Sequence, residues 1–562
     1  MTWAREVYVV LGVVAVLVLG GATAAAHEGL FRDRPSCQRA TTTRGGTGPR
    51  EDGLTSVEHG AARKIDEQRA AWRADLTRCA ARPGPARALL TSRPSVRSPG
   101  LGETGMPDRP GVDRPPAYLS RRTRRSNLED DVKRSLLPLA AALAVAAGSL
   151  LGGSAVAAPS AATPLRPVPT PADAVLAWNT IAVNAALAAG TFQVQGLIYT
   201  SYVQGAVYDA VVAIEGRYRP YIGHLQGPRT ASVDAAVEAA AHGVLVHRYP
   251  AQAASLDAQY TAALAGVPDG PRKAAGVRVG TAAAADLLAA RAGDGVDADV
   301  TYTFGSGPGA WILPTDNTAA AFQTPQTPWV AVMRPFVIRR ADQFRPGPPP
   351  ALTSATYARD LNETQAYGSR TSTVRTPAQT ETALFWTTNA IAADNATIRT
   401  LATAHHYDAA RAARALAMSD MVESDALIAC FDAKYHYGLW RPYTAIRGAD
   451  TDGNPATTAD PTWLPLVPTP NHPEYPAAHA CGTGAQGDVL AALLGTRTIQ
   501  TDITSAVTGT TRHYATVAAL DANVVDARVW AGLHYRTSGL VGVHLADRVA
   551  REALEDHFQP TH

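Results

Sequence analysis

Three short segments in the last third of the chain gather the side chains that can grip an oxyanion. In FDAKYHYGLWRPYTAI, Lys434 and Arg441 stand seven residues apart, about two helical turns. The spacing predicts both cations on one helix face, with Pro442 ending the helix just after Arg441. Two long basic chains at a helix C-terminus can close around one anion; they equally suit a solvated basic face settled by the helix dipole. In NHPEYPAAHACGTGAQGDVLAALLG, Pro476 is suited to a first helical turn, which leaves Ala477, Ala478 and His479 where backbone N–H groups lack helical partners. Small side chains there let an oxyanion approach the amides, and His479 can shuttle a proton. On its own, such a histidine is equally a surface residue. In DARVWAGLHYRTSG, Arg528 precedes His534 by six residues within what reads as one helical run, roughly 120° apart around an ideal helix, so only the reach of arginine lets both address one ligand. Together the segments offer two imidazoles, three cations and a helix N-terminus. That set suits a tetrahedral or trigonal-bipyramidal oxyanion. No carboxylate pair, HExxH or P-loop motif competes with it.

These residues need a rigid frame, and the surrounding text is helical. Ala-rich segments with apolar residues at helical spacing predict helices over Ala174–Ala189, Tyr202–Ile214, Ser232–Val246, Ala251–Ala265 and Pro271–Arg291. Further helices are expected over Thr376–Ala393, Asn395–Ala404 and His406–His436, whereas strand-like alternation is scarce. The expected class is all-α, two packed helical bundles separated by a long irregular middle loop from Asp297 to Ser354 that includes RPGPPPA. A loop of that length wraps the domain or walls a site.

With 562 residues, 46% hydrophobic and 18% charged, the chain can bury a large core, and a net charge of +2 gives no basic excess for nucleic acid. The four cysteines, Cys37, Cys79, Cys430 and Cys481, are too few for a disulfide scaffold and form no CxxC zinc pair. Cys430 and Cys481 lie near the candidate residues and can either pair or remain buried thiols.

The N-terminal part reads as two starts in one chain. Val7 to Ala26 is apolar enough for a membrane span or signal. His27 to Asp131 is Arg-, Pro- and Gly-rich without apolar period, the composition of disorder. From Val132, a basic start, an apolar middle and small residues at Ala155, Ala157 and Ala158 give the layout of a secretory signal peptide over 132–158. We read residues 1–131 as a spurious or disordered extension, 132–158 as the signal and 159–562 as the catalytic helical domain of a secreted protein. A membrane-anchored protein on a disordered stalk is the other reading.

The three segments resemble the vanadium-dependent haloperoxidase family and, more distantly, the type 2 phosphatidic acid phosphatases. The family pattern is Lys with Arg-Pro seven residues on, then Pro-Ser-Gly-His, then Arg with His six residues on. This chain has Lys434 with Arg441-Pro442, Pro476-Ala477-Ala478-His479, and Arg528 with His534. Flanking text such as DQFRPGPPPALTSATYARDLNE and WRPYTAIR extends the likeness over most of 171–554. The resemblance implies vanadate as cofactor, held by the His534 nitrogen, with Lys434, Arg441, Arg528 and the Ala477–Ala478 backbone on its oxygens and His479 as acid/base. In a phosphatase, His534 would instead be the nucleophile. Ala477 and Ala478 replace the family Ser and Gly, which removes a hydroxyl but keeps the backbone amide. Ser538 stands where some members have Asp, so the partner of His534 must come from elsewhere. His472, seven residues before His479, is where bromoperoxidases tend to have His; it leans the reading towards bromide or iodide, while a structural role capping the PEYP turn is the competing account.

The expected reaction is oxidation of halide by hydrogen peroxide. A phosphatase acting on a small phosphate ester through a phosphohistidine, and a secreted non-catalytic member of the fold, are the alternatives. No nucleic acid and, once the signal is cleaved, no stable membrane partner is expected; a homodimer is compatible with such bundles.

Overall fold

The computed structural model describes residues 172–223, 225–319 and 322–561. The N-terminal extension and the signal-like segment lie outside the described residues. Thirteen α-helices and one two-stranded sheet make up the described fold. Five come first: α1 (Asp173–Ala188), α2 (Gln193–Glu215), α3 (Val233–Arg248), α4 (Ala253–Gly266) and α5 (Pro271–Ala290). A long irregular segment leads to α6 (Ala355–Gly368), α7 (Pro377–Phe385), α8 (Ala390–Ala404) and the long α9 (Ala409–Tyr437). The short α10 (Pro442–Arg447), then α11 (Ala478–Leu494), the hairpin β1 (Thr501–Thr504) with β2 (Thr511–Tyr514), α12 (Val517–Trp530) and α13 (Arg536–Asp556) complete it.

The all-α expectation matches, and so do the first five helices to within a few residues, save for the early start of α2. Side chains mark the starts. Ser232, Ser354, Asn389, Asp408 and Thr516 each accept a hydrogen bond from a first-turn amide, and Thr376 forms a full capping box with Gln379. Left-handed glycines, Gly216 and Gly438 among them, close α2 and α9.

The core centres on α2 and α9, which pack against each other and are buried along most of their length. Among the described residues α2 alone is long and apolar enough to cross a membrane, and 94% of its most apolar window is buried inside the protein. α5 rides close on α3, because a side chain at Gly276 or Gly280 would strike the Ser232 or Ala236 carbonyl. On the other side, α9 meets α11 and α13, and α12 closes the second bundle.

Several expectations need correction. Thr376–Ala393 is not one helix: it breaks at Trp386–Asn389, where the Asn389 cap starts α8. α6 and the β1–β2 hairpin were not expected at all. α9 stops at Tyr437 because Gly438 turns left-handed at φ 54°, so Pro442 does not end that helix but opens α10. Pro476 is not in the first turn of α11; it follows Tyr475 through a cis peptide, and the helix begins at Ala478. The run from Arg528 to His534 is not continuous helix either, since α12 ends at Trp530 and Gly532 has φ 78°.

The middle segment wraps rather than dangles. Ala310 bridges Leu439 in an antiparallel pair, and the Gln326 amide donates to the Asn471 carbonyl at 2.8 Å. The proline run is tied down by Arg345 on the Asp432 carboxylate at 2.6 and 2.7 Å. Hydroxyls of Tyr437 and Tyr475 donate to the Pro346 and Gly347 carbonyls at 2.7 and 2.9 Å.

Candidate oxyanion site

Where α9, α11 and α12 converge, the residues read from the three segments come together. Lys434, in the last turn of α9, is fully buried, and its ammonium donates to the Pro473 and Glu474 carbonyls at 3.0 and 2.9 Å. Arg441 is not on that helix; the turn at Gly438 carries it round to the N-cap position of α10. Its guanidinium is equally buried and spread over four acceptors. Nε donates to the His472 carbonyl at 2.7 Å, one terminal nitrogen to the Leu533 carbonyl at 3.0 Å and to His534 Nε2 at 3.1 Å, and the other to the His472 ring at 3.0 Å.

His534 sits in the break between α12 and α13, where its amide and that of Leu533 reach back to the Arg528 carbonyl at 3.3 and 3.1 Å. Gly532 permits this turn for two reasons. Its φ is positive, and a Cβ there would lie 2.6 Å from the Gly368 carbonyl oxygen. The ring is oriented by a residue the sequence reading passed over: Glu474 Oε1 accepts from His534 Nδ1 at 2.9 Å and from the Tyr535 amide at 3.0 Å. Glu474 is fully buried. Its signal was its place inside the same HPEYP stretch already singled out, where a carboxylate two residues before Pro476 is otherwise unexplained. With Nδ1–H given to Glu474, the Nε2 lone pair faces Arg441, the tautomer of a nitrogen ligand or nucleophile.

A cavity of about 410 Å³ opens beside this cluster, lined at one end by His472, Ala478, His479, Arg528 and His534. Phe192, Leu197, Phe322, Ile391, Leu427 and Phe431 give it apolar walls. Lys434, Arg441 and Ala477 are not in the lining: the two cations act on it from behind, through the His472–Glu474 strip and His534. The Ala477 amide is also committed, donating to the Ser538 carbonyl at 3.1 Å, so the expectation that it meets an anion is corrected. Ala478 and His479, the first two residues of α11, have no backbone or side-chain acceptor for their amides among the described residues. His472 lies tilted against Phe431, ring centroids 5.2 Å apart, and 3.2 Å from the Pro473 carbonyl. It therefore both walls the cavity and holds the turn.

The electrostatics call for an anion. Burial, with Arg441 adding to it, lowers Lys434 to about 8; burial brings Arg441 to about 10, and burial with the Arg441 charge brings Arg528 to about 9. All three therefore stay cationic at neutral pH. None makes an ion pair within 4.0 Å among the described residues, and Arg528 Nε is buried without an acceptor. Burial, followed by the neighbouring cations, pushes His472, His479 and His534 well below the usual histidine range, so their rings are neutral. Burial lifts Glu474 to about 7 against the pull of Lys434 and Arg441. Three cations stand against the single Glu474 carboxylate, and Arg528 Nε and the first two amides of α11 lack acceptors, a fit for vanadate or phosphate.

Residues 414–561 match the family described as the VCPO second helical-bundle domain. That match covers the second bundle. The fold of the whole described chain is similar to that of a bacterial vanadium-dependent iodoperoxidase, at 21% identity and TM-score 0.59, over 70% of this chain and 98% of that one. A bacterial vanadium-dependent chloroperoxidase in its holo form aligns at 18% identity and TM-score 0.54, over 64% of this chain and 90% of that one. No curated protein is matched by the sequence. In the haloperoxidase fold of this chain, Cys430 and Cys481 are free, buried thiols, so the disulfide left open by the sequence does not form.

Proposed function

We propose that the chain is a vanadate-dependent haloperoxidase that oxidises halide with hydrogen peroxide, bromide or iodide in preference to chloride, and that it acts outside the cell. The observation that carries the reading is the arrangement Glu474–His534–Arg441. A buried carboxylate fixes the imidazole tautomer so that Nε2 carries the lone pair, and a buried guanidinium donates to that nitrogen and can give way to a ligand there.

Vanadate, when bound, would supply a Lewis acid that activates the peroxide. His534 would hold it through Nε2 in place of the hydrogen bond that Arg441 now gives that nitrogen, with Arg528 and the first amides of α11 on its oxygens and Arg441 supporting the site from behind. Lys434 would steady the site from behind, by fixing the Pro473 and Glu474 carbonyls. His479, neutral and facing the cavity, takes a proton from the incoming peroxide and returns one to the departing oxygen. The apolar walls exclude water, which strengthens each of these charge contacts. His472, polar and backed by Arg441, supports the preference for a large, weakly hydrated halide.

The test is to strip the purified protein of bound anion by chelator treatment and dialysis in phosphate-free buffer. Bromide, iodide and chloride oxidation by hydrogen peroxide is then assayed with and without orthovanadate, beside hydrolysis of a generic phosphate monoester. Halide oxidation that depends on vanadate and follows iodide and bromide over chloride is expected. Ester hydrolysis without peroxidase activity would assign the same pocket to a phosphatase, and neither activity would leave a non-catalytic member of the fold.

A further inference from the structure

The cavity has a second polar feature that the oxyanion site does not use. Glu423 lines it from α9, one helical turn before Leu427 and two before Phe431 on the same stripe. It is 2% exposed, Oε2 is buried, and no fixed N–H or O–H donor among the described residues reaches that oxygen. Oε1 lies 3.0 Å from where a Cβ on Gly482 would stand. Gly482 is three residues beyond His479 on α11, a rise of about 4.5 Å, and both line the cavity. Glu423 is therefore within a turn of the acid/base imidazole, on the same face.

Behind Glu423 the structure buries two more carboxyls. Asp394 on α8 is beside it and beside Gln486 of α11; Asp420, one turn earlier on α9, lies among Asn395, Thr200 and Arg399. No ion pair within 4.0 Å is made by any of the three among the described residues. The other charged or titratable groups lining this cavity are His472, His479, Arg528 and His534.

Building on the haloperoxidase reading, we propose that Glu423 is a protonated acid in the halide cavity that resupplies His479, with Asp394 and Asp420 as its reserve. The reaction needs such a donor. Halide gives two electrons to one peroxide oxygen, the O–O bond breaks as the X–O bond forms, and one proton must arrive on the leaving oxygen for water to depart: X⁻ + H₂O₂ + H⁺ gives HOX and H₂O. An ionised carboxylate in that wall would repel halide, whereas a neutral one admits it. Burial, reinforced by the Asp394 carboxyl and then Asp420, holds Glu423 well above the usual glutamate range, as this role requires.

Glu423→Gln keeps the shape and a hydrogen-bond donor but cannot release a proton. The full protein carrying it should oxidise bromide about 100-fold more slowly at neutral pH, with KM for bromide and peroxide little changed, and should lack the fall in rate expected of the parent as the pH rises. A readout free of turnover comes from infrared difference spectra of the vanadate-free protein on adding inorganic phosphate. A protonated-carboxyl band that shifts in the parent and vanishes in Glu423→Gln is expected. If Glu423→Gln fails to fold, Gly482→Ala tests the same point, because its methyl must push the carboxyl aside and move the band. Unaltered turnover and pH profile, or no protonated-carboxyl band assignable to Glu423, overturns the proposal. A band that is present in a protein without peroxidase activity rejects the reaction while keeping the neutral acid.

Discussion

Glu474 and His534, sixty residues apart in sequence, are joined through Oε1 and Nδ1 at 2.9 Å inside a fully buried pocket. The same oxygen takes the Tyr535 amide, so the ring is held at two adjacent points of one loop. Substituting Glu474→Gln removes the charge that favours this tautomer while nearly preserving volume. Orthovanadate affinity of the stripped protein should drop by about 10-fold or more. Titration calorimetry measures it, and unchanged affinity would mean that His534 is oriented by backbone alone.

Arg441 cannot be replaced by lysine. A single ammonium reaches one or two of the acceptors that the planar guanidinium serves. With about 1.5–3 kcal/mol at stake for each hydrogen bond to a charged group, Arg441→Lys should weaken phosphate binding by at least about 10-fold and lower the thermal midpoint. Calorimetry and thermal denaturation separate the two effects.

Stability should decline towards alkaline pH. Unfolded aspartates titrate near 3.8, whereas burial keeps Asp394 protonated to about 7 and Asp420, chiefly by burial, to about 8. The folded state thus binds more protons across that window. The stability these acids contribute is full below about 3.8 and drains away as the pH climbs through their folded values, at about 1.4 kcal/mol per pH unit for each proton of difference. Thermal midpoints should fall from mildly acidic to mildly alkaline buffer, and Asp420→Asn should flatten that slope.

Cys430 and Cys481 are both 0% exposed. In the folded protein neither should react with an alkylating reagent, and mass spectrometry should find both modified only after denaturant is added. Modification of either in the native state would require the α9–α11 contact to open.

Ala477 occupies the N-cap position of α11 with an extended backbone and no side-chain cap. Ala477→Ser gives the helix a hydroxyl acceptor, and the expected gain is about 1 kcal/mol of stability. Denaturant titration checks it; a gain in phosphate affinity instead would show the hydroxyl turned to the anion.

The helices were legible in the sequence wherever apolar spacing and a capping residue agreed, as at Ser232 for α3 and Pro271 for α5. The grouping of Lys434, Arg441, His479, Arg528 and His534 was legible as well, but the local geometry assigned to three of them was not. Spacing along an ideal helix says nothing of a glycine that turns left-handed, and Gly438 and Gly532 each end a helix between two site residues. Glu474 was hidden for another reason. Its partner is sixty residues away, and only tertiary packing shows which buried acid meets which ring. Glu423 lies outside every motif and is revealed by the cavity alone.

The strip from His472 to Glu474 receives Lys434 and Arg441 on its carbonyls and supplies the carboxylate for His534. Three residues thus serve as a common clamp for two helices and a loop that are otherwise far apart in the chain. Lengthening or shortening that clamp by one residue would misplace every charged member together, so divergence in halide or acceptor choice is confined to side-chain exchange at His472 and along the apolar walls.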